Sequence, residues 1–183
     1  MTDTLTIVAL VTTLAALALA FVAIRARRPW LAAVSALPVA GVIIVNTVSP
    51  AVPSIAPGVA LTIALLLLGV IAGSPIVALV LRLASHQPIA LGSNGGILVT
   101  TPPQTTQREV LRGGATIGYL ERFALVGSVL AGQVAAVAIV VAIKGLGRFS
   151  ELESAEARER FIIGTLASLA WAGSCAAAAV LAW

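Results

Sequence analysis

The chain is banded: long apolar runs alternate with shorter polar segments. A bilayer core takes about 20 mostly apolar residues per helix. Five runs qualify as such helices, at residues 5–23, 31–48, 59–81, 115–143 and 161–183. The first is stopped by Arg25, Arg27 and Arg28. It lacks the basic leader of a signal peptide and has Asp3 there instead, so it reads as a retained helix. The second follows Pro29-Trp30, an indole suited to the headgroup boundary, and Pro38 is expected to bend it. Ser49-Pro50, Pro53 and Pro57-Gly58 predict a short turn, since proline cannot continue the backbone hydrogen-bond pattern. The third helix ends at Arg82, with Pro75 marking a kink.

Residues 84–112 form the one long polar stretch, with Asn94-Gly95-Gly96, Pro102-Pro103 and a β-leaning patch at residues 97–100. Its length is excessive for an idle connector, which leaves a lid, a re-entrant element or a disordered loop. The fourth helix exceeds one bilayer thickness, so it tilts or projects. Ser150 and Glu153 fit a capping box before the fifth helix, and Glu156 with Arg160 fit an i,i+4 pair.

Composition turns this pattern into a class. Hydrophobic residues are 60% of the chain and charged residues 10%, against about 25% charged in soluble domains. The mean hydropathy is +1.09. The expectation is an all-α, polytopic transmembrane bundle of about five helices, in one domain whose surrounding medium is lipid. The net charge of +4 falls in clusters between apolar runs, as a topology signal does. No basic helix carries interleaved aromatics, so no nucleic-acid partner is expected. Basic residues in the loops before helices two and four favour the N-terminus outside and the C-terminus inside a cytoplasmic membrane. The loop between helices four and five conflicts, because its basic residues are on the outside in that arrangement. A cytoplasmic position for it would make one of the five helices re-entrant.

Candidate chemistry sits in the fourth helix. Arg122, Gln133 and Lys144 are spaced by eleven residues, close to a whole number of turns at about 3.6 residues each. One unbroken helix over residues 120–144 would stack all three on one face, where polar groups point at protein, water or substrate. Glu121 beside Arg122 offers a structural ion pair, and the arginine fork offers an anion clamp. Gln133 serves equally as helix glue, and Lys144 can snorkel to the interface. Lys144, Arg148, Arg158 and Arg160 gather at one corner with Glu151, Glu153, Glu156 and Glu159, either as a reader of lipid headgroups or as a self-neutralising loop. Gly69 and Gly73 have the small-xxx-small spacing of close helix contacts, and Gly164, Ser168, Ala172 and Ala176 form a second flat stripe.

The strings Gly118-Tyr119-Leu120-Glu121-Arg122, Gly132-Gln133, Lys144 with Arg148-Phe149, and Phe161-Ile162-Ile163-Gly164-Thr165-Leu166 with Ser168 together resemble the C-terminal half of a family of uncharacterised bacterial multi-pass membrane proteins. The resemblance covers residues 114–168 and implies a bacterial integral membrane protein. It implies no activity.

Cys175 stands alone, so there is no internal disulfide or thiol cluster, and His86 has no second histidine for a metal. There is no phosphate-binding glycine loop, no His-Glu-x-x-His and no Gly-x-Ser-x-Gly. No catalytic, cofactor-binding or metal-ligating residue is named, and the reading leans away from an enzyme. The leading expectation is a small oligomeric transport or channel-type subunit, with Arg122, Gln133 and Lys144 lining an anion-favouring path. It would be a homo-oligomer joined through the glycine face of helix three or the stripe of helix five. The alternative is a non-catalytic scaffold or accessory subunit docking a protein partner through residues 84–112, with membrane lipids around it in either case. A lipid-modifying enzyme using Glu121 ranks third, since a carboxylate paired to arginine is a poor base.

Overall fold

Prolines and charged turns punctuate this chain, and the helices begin and end where they dictate. The computed structural model describes residues 2–50, 52–84, 97–99, 108–110, 114–147 and 155–183. Helix α1 (Thr2–Arg25) ends in a Schellman turn. There the Arg28 amide bonds the Ala23 carbonyl (3.0 Å) and the Arg27 amide bonds Ile24 (3.3 Å), with Arg27 at a left-handed φ of 53°. A 3₁₀ stretch, Pro29–Ser35, leads into α2 (Ala36–Val48). Pro38 therefore falls in the first turn of α2, where a missing N–H leaves nothing unpaired, and the irregular part of this span lies before it. Helix α3 (Ile55–Ala84) starts ahead of Pro57 for the same reason and contains Pro75. Its 30 residues make a rod about 45 Å long at 1.5 Å per residue, longer than a bilayer core of about 30 Å.

Residues 84–112 fall mostly outside the described residues. Strands β1 (Ile97–Val99) and β2 (Arg108–Val110) pair antiparallel, Ile97 opposite Val110. The capping box at Ser150 and Glu153 and the corner residue Arg148 also lie outside the described residues.

The fourth predicted helix is two helices. Helix α4 (Gly114–Leu130) and helix α5 (Ala135–Gly147) flank a break at residues 131–134. A second Schellman turn makes it: the Gln133 amide bonds the Ser128 carbonyl (2.8 Å) and the Gly132 amide bonds Val129 (3.0 Å). Gly132 takes φ +71°, a left-handed conformation that glycine adopts without steric cost. The chain then folds back, and Lys144 on α5 pairs with Glu121 on α4. Helix α6 (Ala155–Leu181) begins earlier than the expected residue 161 and completes the bundle.

Among the described residues, four helices are long and apolar enough to cross a membrane: Asp3–Arg25, Pro29–Val48, Ile55–Ala84 and Arg158–Leu181. The α4–α5 hairpin replaces the expected single span at 115–143 and enters and leaves at one end. This changes the disposition of the termini. The Asp3 carboxylate accepts from the Ser54 amide (2.9 Å) and hydroxyl (2.7 Å), so α1 and α3 start together. The Trp183 indole N–H donates to Thr62 (2.9 Å) and its ring lies beside Gly58, while Gly164 lies beside Val77 and Leu81. Helix α6 is thus antiparallel to α3. Both termini share one end of the bundle, not the opposite ends that an odd number of crossings requires.

The core is built on α3. Leu61, Leu65, Leu68 and Ala72 pack with Ala16 and Ala20 of α1, Val39 and Val42 of α2, and Trp171, Cys175, Ala178 and Ala179 of α6. Alanine is its commonest residue, because without a hydrophobic drive between helices, association in lipid depends on close van der Waals approach. The glycine faces expected to join copies of the chain are used inside it. A Cβ on Gly69 would stand 3.0 Å from Cys175 Cβ and 3.4 Å from Val126, and Ala172 and Ala176 are buried beside them.

Candidate functional site

The break in α4–α5 dissolves the expected polar file. Gln133 lies in the turn and is exposed, while Arg122 is buried, 4% exposed. The register Gly73–Arg122 and Gly69–Val126, continued along the antiparallel pair, brings Gln133 level with about Thr62, at the end where both termini lie. Arg122 sits toward the other end. Eleven-residue spacing fits three helical turns, and it equally fits two arms of a hairpin about Gly132-Gln133. Glu121 and Lys144 come together for that reason.

A long arginine fits inside the helix contact because Gly73 has no side chain. A Cβ there would lie 2.9 Å from Arg122 Cζ and overlap Cδ. Gly118, one turn before Arg122, leaves its Nη1 similar room at 3.0 Å. The guanidinium then reaches across two helices. Its Nε–H donates to the Val70 carbonyl (2.8 Å), Nη2 to Ser74 Oγ (2.8 Å), and Nη1 to Ser168 Oγ of α6 (3.3 Å). Tyr119 places its ring centroid 5.2 Å from Cζ, within cation–π range. Pro75 leaves the Ile71 carbonyl without its helical donor, so this stretch of α3 is already rich in acceptors.

Arg122 is thus held by neutral acceptors, and no carboxylate pairs with it among the described residues. Its neighbour Glu121 instead binds Lys144, each side chain about one-sixth exposed (15% and 16%). A void of about 10 Å³ lies among Glu121, Arg122, Lys144, Ser168 and Leu169, roughly the room one water needs. Chemically this is a helix-packing centre: a buried guanidinium, a group that costs about 3 kcal/mol at the centre of a membrane helix, is given three directed hydrogen bonds.

Ser74, Tyr119 and the Val70 carbonyl were not foreseen. Ser74 beside Pro75 in an oily helix was the available signal. Ser168, expected only as a packing residue, is also a ligand of Arg122. Arg158 and Arg160 lie at the start of α6, at the same end as Arg82, Arg25 and the base of the hairpin. Among the described residues, no group of histidine, cysteine and acids is placed to hold a metal.

Comparison with protein-family models, curated proteins and solved structures finds no match. The resemblance over residues 114–168 rests on its own motifs.

Proposed function

We propose that the chain is a non-catalytic membrane scaffold or accessory subunit that docks its partner at the basic end of the bundle. The observation that carries this reading is the engagement of Arg122 and Lys144 by acceptors of the same chain. Arg122 locks the hairpin onto α3 and α6 and Lys144 ties its two arms together, so both cations serve contacts within the chain. The same end gathers Arg25, Arg27, Arg28, Arg82, Arg158 and Arg160, along with the exit of α3 and the entries of α4 and α6. Segment 84–112 leaves and returns there, a natural docking element. The positive-inside rule then favours that end in the cytoplasm and both termini outside a bacterial cytoplasmic membrane. In that orientation the basic residues around the loop after residue 147 also fall on the cytoplasmic side.

Photocrosslinkers at Arg82 and Arg158 in membranes are expected to join one defined protein, and purified chain in liposomes is expected to pass no more anion than protein-free vesicles. Anion flux that Gln133→Leu reduces would overturn the scaffold in favour of a homo-oligomeric transport subunit. The exposed amide of Gln133 is the feature that favours this second reading. In a Cys175→Ala background, Gln133→Cys would then cross-link one copy to another.

A further inference from the structure

The turn after α1 combines two features that a topology signal alone does not require. Arg27 occupies the left-handed position of the Schellman turn, where glycine is the usual residue and a β-carbon is disfavoured. Arg25, Arg27 and Arg28 are all exposed, and none has an ion-pair partner among the described residues. Trp30 follows, its indole exposed at the level where such rings sit among headgroups. Three unneutralised cations and an interfacial indole complement an anionic headgroup in charge and in depth.

An apolar groove runs away from this turn. It has a volume of about 520 Å³ and lies between α1 and the Pro29–Val48 span. Leu5 and Leu19 mark the ends of one wall, and Val34 and Ser49 those of the other. Leu19 and Val34 are the ends nearest the arginines, Leu19 about 9 Å along the helix from Arg25 at 1.5 Å per residue. The wall from Leu5 to Leu19 extends about 20 Å, longer than one leaflet's share of roughly 15 Å of hydrocarbon. Gly41 opens the middle: nothing lies within 4 Å of where its Cβ would stand.

We infer that this corner is a binding site for one anionic phospholipid of the leaflet at the basic end. Its phosphate lies on the Arg25–Arg27–Arg28 turn beside Trp30, and one acyl chain fills the groove over Gly41. The inference does not depend on the scaffold reading.

The test is native mass spectrometry of the full chain in detergent with added dioleoylphosphatidylglycerol, dioleoylphosphatidylcholine or sn-glycerol 3-phosphate. The parent is expected to bind the phosphatidylglycerol one-to-one, at least about tenfold tighter than the phosphatidylcholine. Arg27→Gly combined with Arg28→Gln is expected to abolish that preference. The glycine suits the left-handed position, so the variant is expected to keep the parent's circular dichroism and thermal midpoint while it loses the preference. Gly41→Leu fills open space and is expected to weaken both lipids, and glycerol phosphate is expected not to compete. Equal binding of the two lipids, a preference that survives the arginine variant, or competition by glycerol phosphate would each overturn the assignment. Unchanged lipid binding in Gly41→Leu would overturn the groove.

Discussion

Helices α1 and α4 end with the same pair of hydrogen bonds, yet the left-handed residue is Arg27 in one and Gly132 in the other. At Gly132 the residue suits the conformation, and the turn exists to reverse the chain and bring Glu121 to Lys144. At Arg27 the residue opposes the conformation, at about 1 kcal/mol or somewhat more, and the turn sits in a cluster of exposed cations. A helix end made with glycine reports on geometry. One made with arginine reports that charge at that spot outweighs local fit.

The largest effect is expected at the lock that holds the hairpin. Arg122→Ala removes three hydrogen bonds and leaves a cavity, with an expected loss of about 3 kcal/mol. Denaturant titration in micelles reads it, and a loss under about 1 kcal/mol would show that the hairpin stands without its arginine. Gly132→Val puts a β-branched residue in the left-handed position and is expected to cost about 2 kcal/mol. Arg27→Gly carries the opposite sign, a gain of about 1 kcal/mol, partly offset by the freer unfolded chain. If both substitutions destabilise alike, the two turns do not differ in strain. Lys144→Met should matter least, about 0.5 kcal/mol, because the pair with Glu121 is near the hairpin base and partly solvated.

These two ends also show what was legible in the sequence. Arginines at 25, 27 and 28 interrupt an oily run, so the end of α1 was readable as composition, as were the ends of α2 and α3 at their prolines and Arg82. Gly132 interrupts nothing in composition. Residues 123–143 carry only Ser128 and Gln133 as polar residues, and a glycine there reads as packing unless its φ is known. The hidden break made a hairpin look like a file of polar residues and set the two termini at opposite ends of the bundle. The polar centre was half legible: Arg122, Glu121, Lys144 and Ser168 were singled out. Their true partners depend on Gly73 standing opposite Arg122, a tertiary register that no local pattern encodes.

The acceptors of Arg122 also have an order in time. Val70 and Ser74 precede it along the chain, and Ser168 follows it by 46 residues. As the polypeptide leaves the ribosome, the guanidinium meets two of its three acceptors on a helix already inserted, so the hairpin can settle before the last span is made. The final helix then closes a partly assembled site and is not needed to start it.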